Sequence, residues 1–190
     1  EKFNSNNKII FSHSNNNNNN NKFIDNGLKV SVDLSDTKNP VAYRAKNNTP
    51  NLKFSKFNSY KIEDFWIAIY SKNSSILIEK NKFYILKSKE KVRIPPLTAG
   101  VMIPYDTGIG DFRAHYAGFF DPGFGDPAGS FAVLEVKTYE IPFLIEDGQT
   151  IARIKYEKLN KNSNVVYGLK INSNYQNQGL KLSKHFLSNE

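Results

Sequence analysis

Apolar residues in this chain alternate with polar ones and rarely keep a helical spacing. In "GLKVSVDLS", Leu28, Val30, Val32 and Leu34 recur at every second position, which predicts a half-buried strand. "DFWIAIY", Asp64 to Tyr70, is a short aromatic and β-branched run with Phe65, Ile67 and Ile69 on one face, and reads as another strand. "SILIEKNKFYILKSKEKVRIPP" predicts two strands around Lys80-Asn81-Lys82 and a third ending at Pro95-Pro96, because a proline pair cannot continue a central strand. Gly129 to Val136, "GSFAVLEV", and then "EIPFLIEDGQTIARIKYEKL" supply further strands, with a hairpin turn at Asp147-Gly148 between the last two. Turn residues recur, no long stretch holds the helical period, and no internal repeat is visible. The fold class is all-β: a barrel, sandwich or jelly roll. The predicted core includes Val30, Val32, Phe65, Ile67, Ile69, Phe83, Ile85, Val133, Ile141, Phe143, Ile151 and Ile154.

The first 26 residues break this pattern. "EKFNSNNKIIFSHSNNNNNNNKFIDN" is Asn- and Lys-rich, predicts little burial and reads as a disordered segment ahead of one β domain over 27–190. The formal charge of +8 raises the question of a nucleic-acid partner. Only four of the 26 basic residues are Arg, and the lysines are scattered without a stripe. A solvated lysine surface is the better reading, and it would still draw in a triphosphate. The chain has no Cys, hence no disulfides and no thiolate metal ligands, which suits a cytoplasmic location. No apolar run approaches the roughly 20 residues of a membrane-spanning helix, and the start lacks the apolar core of a signal peptide.

Most catalytic signatures are missing. His13, His115 and His185 are far apart and form no HxxxH pair. There is no GxxxxGK[ST], no GxGxxG, no GxSxG and no RNP-type aromatic motif. What remains is a carboxylate, Glu135, inside the apolar run "FAVLEVKTY". Phe131, Val133 and Glu135 share one face, and Ala132, Leu134 and Val136 share the other. Glu135 is either held on an apolar face, where burial favours the protonated carboxyl, or is an edge carboxylate paired with a lysine. Just upstream, "AGFFDPGF" wraps a strong turn signal, Asp121-Pro122-Gly123, in aromatics.

"AGFFDPGF" followed by "AVLEV" resembles the dCTP deaminase and dUTPase superfamily. So does "VVYGLKINSNYQNQGLKLSKHF", with its Tyr and Tyr-Gln-x-Gln-Gly box, and "KVRIPPLTAG" resembles the segment before the family's active-site loop. The combination is most similar to the C-terminal half of two-repeat alphaproteobacterial dCTP deaminases and runs from Gly27 to about Leu187. The resemblance implies a β-clip fold, a distorted jelly-roll barrel of the dUTPase-like type, assembled as a trimer with sites between subunits. It also implies zinc-independent hydrolysis of dCTP, carried with Mg2+ on its triphosphate, to dUTP and ammonia; the absent Cys and the missing HxE and PCxxC of zinc deaminases agree.

By resemblance, Glu135 shuttles protons between a water and the cytosine, and the backbone of Ala117 helps position that water. Asp121 meets the deoxyribose, the backbone of Val133 and Leu134 reads the pyrimidine edge, and Tyr167 lies over the nucleotide. Gln178 contacts the triphosphate, under a tail over 167–190 that closes on it. Asn174 stands where many members have a phosphate-binding Lys. Where the family has Ser-Ser-x-x-Arg, this chain reads "PYDTG", Pro104 to Gly108; Arg113 and His115 are nearby but do not match by position. "GDPAGSF" is a longer loop than in short members. The expectation is half of an active site whose Ser and Arg come from an N-terminal repeat or a partner chain. The alternatives are a non-catalytic β-clip subunit and a dUTP diphosphatase or bifunctional enzyme.

Overall fold

Two long strands organise the molecule. β6 (Phe83–Val92) and β10 (Ser130–Thr138) pair antiparallel. The computed structural model describes residues 10–11, 26–104, 112–115, 118–161, 165–168, 173 and 175–187. β6 carries β10 along one edge and β1 (Ile10–Phe11) and β3 (Ala42–Ala45) along the other. β4 (Trp66–Ile69) lies beyond β3, and β8 (Phe112–His115) beyond β10. A second sheet runs in the order β2 (Leu28–Ser31), β12 (Thr150–Lys158), β7 (Thr98–Pro104), β9 (Phe119–Phe120), and β5 (Ser75–Ile78) pairs with β11 (Phe143–Glu146) in a third. The only helix among the described residues is the single turn α1 (Ile62–Phe65), far too short to cross a membrane. The all-β reading holds.

The main core fills the space between the sheets. It takes Val30, Val32 and Leu34 from around β2, Leu86 and Val92 from β6, Leu134 and Val136 from β10, and Ile151 and Ile154 from β12. A second cluster covers the opposite face of the large sheet. There Tyr43 and Ile85 pack under Leu182, with Trp66, Phe83, Val133, Leu180 and Phe186 around them. The C-terminal tail is therefore a lid of apolar residues on one sheet face.

That tail is pinned by the loop before α1. Asn58 N–H donates to the Lys184 carbonyl at 2.9 Å, Ser59 N–H to His185 at 3.0 Å, and Leu187 N–H to Tyr60 at 2.8 Å. His185 is buried between the rings of Phe54 and Phe57, each 5.4 Å away. Its Nε2 is 3.0 Å from the Phe54 carbonyl; a carbonyl only accepts, so Nε2 carries the proton.

Several strand expectations change in detail. Residues 64–70 do not form one strand: Glu63 and Asp64 sit in the first turn of α1, where acids complement the helix dipole, and the strand starts at Trp66. Glu79–Lys82 is a turn with Asn81 at φ +58, as the break at Lys80-Asn81-Lys82 suggests, but the strands it joins enter different sheets. The predicted second and third strands of that stretch are one, β6. Asp147-Gly148 does form a tight turn, with Gln149 N–H donating to Glu146 at 3.1 Å, but β11 pairs with β5 and β12 with β2 and β7, so it is no hairpin. Ile141, assigned to the core, is 57% exposed in the bend between β10 and β11, where Pro142 interrupts pairing. Ile10 and Phe11, from the Asn-rich tract, are a strand; the rest of that tract through residue 25 lies outside the described residues.

β6 stays continuous through the polar run Lys87–Lys91 because its inward polar groups are paired. β10 slips against it: Phe131 faces Lys91, whereas Val133 faces Lys87. Ser88, fully buried, bridges the break, its Oγ accepting from Ala132 N–H at 2.8 Å and donating to the Glu90 carbonyl at 2.7 Å. The buried Glu90 carboxylate accepts from Ser31 N–H at 2.9 Å and from Ser31 Oγ at 2.5 Å. Burial pushes the Glu90 carboxyl above its usual range, with the Ser31 bonds opposing.

Candidate active site

β10 settles the ambiguity around Glu135. Ser130, Ala132, Leu134, Val136 and Thr138 turn into the barrel core, while Phe131, Val133, Glu135 and Lys137 face the other way. That second face is neither core nor open surface. It forms the floor of an open cleft of about 650 Å³ roofed by the C-terminal tail. Glu135 lies opposite Ile85 of β6, with Val133 beside it, so the carboxylate sits on a partly apolar floor.

Among the described residues, β10 is paired on two sides near this point. Its ladder with β8 begins at Glu135–His115 and runs only toward Thr138. Val133 and Leu134 pair with Lys87 and Leu86 of β6 and have no strand partner on the β8 side among the described residues. Backbone donors and acceptors of a strand that borders a cleft can pair with a planar ligand. The Leu134 side chain is in the core, so only its backbone can take part.

The Asp121-Pro122-Gly123-Phe124 turn forms the next wall. Phe124 N–H donates to the Asp121 carbonyl at 3.0 Å, and Gly123 has φ +94, as the third position of a type II turn requires. Gly123 is also tightly enclosed. A Cβ there would run into the Val166 side chain and lie 2.9 Å from the Tyr167 carbonyl. Backbone bonds alone close the turn among the described residues, which leaves the exposed Asp121 carboxylate on the cleft wall. The aromatics divide by face. Phe120 and Phe124 are buried with ring centroids 5.1 Å apart, while Phe119 is 63% exposed and borders the cleft.

The tail residues attach to this wall at separate points. Tyr167 donates its N–H to Pro122 at 2.9 Å and stacks on Phe124 at 5.8 Å, with the rest of the half-buried ring lining the cleft. Gln176 clamps the loop after the turn: its Oε1 accepts from Gly125 N–H at 3.1 Å and its Nε2 donates to the Asp126 carbonyl at 3.0 Å. The Asp126 carboxylate accepts from Arg93 Nε at 2.6 Å. Gln178 ties the tail to the start of β10, with its N–H 3.2 Å from Ser130 Oγ and its Nε2 3.0 Å from the Phe131 carbonyl. Its Oε1 is buried in the cleft wall with no hydrogen-bond partner among the described residues. One amide proton of Gln178 is thus committed to the fold.

Asp121, Val133, Glu135, Tyr167 and Gln178, singled out from sequence, border one cleft. Arg113 belongs to β8, opposite Lys137, with only its backbone described. Ala117, Asn174 and Tyr105 to Gly108 lie outside the described residues; Pro104 ends β7 opposite Ala152. Sequence reasoning missed Lys181 and Lys184, which also border the cleft. The signal was present in "GLKLSKHF", where Leu182 is buried and the flanking lysines are exposed.

No curated protein matches the chain. The crystal structure of 2'-deoxycytidine 5'-triphosphate deaminase from Agrobacterium tumefaciens is similar, with a TM-score of 0.66 and 40% identity over 72% of this chain. The match covers 42% of that longer chain, so less than half of it is matched. A family model described as "2'-deoxycytidine 5'-triphosphate deaminase (DCD), C-terminal domain" matches residues 4–186. With nearly its whole length matched, the chain belongs to the family of dCTP deaminase C-terminal domains.

Proposed function

We propose that this chain carries the proton-shuttling half of a site that hydrolyses dCTP to dUTP and ammonia. The observation that carries the reading is the placement of Glu135 beside Val133 on the cleft floor, with Asp121 and Tyr167 on the adjoining wall of the same cleft. The cytosine edge pairs with the β10 backbone, Asp121 takes the deoxyribose hydroxyl, and Tyr167 covers the nucleotide. Glu135 accepts a proton from a water held with help from the Ala117 backbone, and the hydroxide adds to C4. Glu135 delivers that proton to N3. It then transfers the proton of the new hydroxyl to the amino group, which leaves as ammonia as the C4 carbonyl forms. The substrate is the magnesium complex of dCTP. With no Cys in the chain, a thiolate-bound zinc has no role in this scheme.

The triphosphate and the reacting centre also call for the Ser and Arg of the family pattern, where this chain has "PYDTG". We assign those groups to an N-terminal repeat or a neighbouring subunit, as in a trimer with sites between chains; a relative of which the match covers only 42% supports that assignment. The same "PYDTG" favours a second reading, a non-catalytic β-clip subunit that binds nucleotide without turning it over. The test is ammonia release from magnesium–dCTP, on the chain alone and then mixed with an N-terminal repeat. Release only on mixing supports the split site. dCTP binding without release in either case supports the non-catalytic subunit, and absence of dCTP binding in both overturns the nucleotide reading.

A further inference from the structure

The charges bordering the cleft are segregated. Asp121 and Glu135 stand on the barrel wall, and Lys181 and Lys184 stand on the tail wall. Among the described residues these two lysines are the only basic side chains that border it. Their backbone is held in place: Leu182 between them is buried, the Lys184 carbonyl accepts from Asn58 N–H at 2.9 Å, and His185 is wedged between Phe54 and Phe57. Lys184 Nζ lies 4.3 Å from the centre of the Phe57 ring, which further limits its range.

We infer that Lys181 and Lys184 form an anion subsite for the polyphosphate of a nucleotide whose base faces Glu135, an inference that rests on the function proposed above. A neutral head with hydrogen-bond donors and a polyanionic tail match the two walls in only one direction. Reversed, the phosphates meet Asp121 and Glu135 and are repelled. The lysines act as point charges that need no single bidentate geometry. They compensate within this chain for part of the charge missing at "PYDTG" and at Asn174. Lys181 and Lys184 also border a second depression of about 490 Å³, but among the described residues that one has no carboxylate to orient a base.

Titration calorimetry on the full chain tests this with three probes: magnesium–dCTP, inorganic tripolyphosphate and deoxycytidine. Lys181→Gln and Lys184→Gln should each weaken dCTP and tripolyphosphate binding roughly tenfold, flatten its dependence on ionic strength, and leave deoxycytidine unchanged. The matching Lys→Arg variants should restore it. Both lysines are exposed, so the Gln variants should melt like the parent. Equal dCTP affinity in parent and double variant overturns the inference and leaves the deaminase reading standing. Parent binding to deoxycytidine that triphosphate does not improve has the same meaning. Tripolyphosphate held through the lysines, with no preference for dCTP over other nucleoside triphosphates, supports the anion subsite and counts against the cytosine reading. Binding of none of the three, by the chain alone and with an N-terminal repeat added, overturns both.

Discussion

The two walls of the cleft are built differently. The barrel wall is strand and turn. β10 is paired along β6, and Gly123 N–H and Phe124 O are bonded to Ile94, two residues past the end of β6. Its side chains inherit positions fixed by many backbone bonds and a dry core. The tail wall has no ladder of its own. It is attached at a few points: Tyr167 on Pro122, Gln176 on Gly125 and Asp126, Gln178 on Ser130 and Phe131, and His185 between two rings. In the function proposed above, the rigid wall carries the groups that do chemistry, and the point-fastened wall carries those that hold and release a ligand.

Glu135→Gln should have the largest effect on activity. Deamination should fall by about 10²–10⁴-fold or below detection, with dCTP binding largely kept, because an amide cannot accept the water proton. Unchanged ammonia release from the assembled enzyme would sink the assignment. Gly123→Ala should have the largest effect on stability. An L-residue at φ +94 costs about 1–2 kcal/mol, and the overlap with Val166 and Tyr167 adds roughly 1–3 kcal/mol of crowding. A denaturant melt within experimental error of the parent would show that the two walls do not meet at this turn.

The two walls also differ in how far sequence reveals them. "DPGF" and "AVLEV" are local signals, and the turn and strand form where those residues stand. The facing of Glu135 was not legible, because β10 has apolar residues on both faces, and the reason lies far along the chain. One face meets the barrel core and the other meets Leu182 and Phe186 of the tail. Strand partners were hidden for a similar reason: Asp147-Gly148 specifies a turn, while the partner of β11 is set by the distant Leu77–Leu144 pairing of β5. Lys181 and Lys184 gain meaning only once Asn58–Tyr60 pairs with the tail, and nothing periodic in the sequence links them. Ser88 and Glu90 made β6 look broken, because burial of a serine and a glutamate is credible only with partners in sight.

Gln178→Ala sharpens the comparison on the tail side. It removes the bond to the Phe131 carbonyl, worth about 0.5–1.5 kcal/mol, and leaves that carbonyl unpaired. The loss should be local. Amide exchange at 175–180 should speed up by roughly tenfold while β6 and β10 keep their protection, the pattern of a wall that opens without unfolding the barrel. Equal acceleration in both would mean that tail and barrel open as one unit.

The smallest effect lies beneath the rigid wall, at Glu90. Burial raises its folded carboxyl above the unfolded value, against the opposing Ser31 bonds. The folded state therefore holds this proton more tightly than the unfolded chain does. Its contribution to stability is fully present below the unfolded carboxyl range and is lost as pH rises through the raised folded value. Both Ser31 donors meet its oxygens in the folded state. Glu90→Gln removes the charge but can keep an acceptor for Ser31 N–H and a donor for Ser31 Oγ. Its melting temperature should equal or slightly exceed the parent's at neutral pH, with the two curves converging as pH falls toward the unfolded carboxyl range. If the variant is instead less stable at neutral pH and the gap narrows on acidification, the ionised carboxylate is a net anchor between β2 and β6, and the Ser31 bonds outweigh its burial.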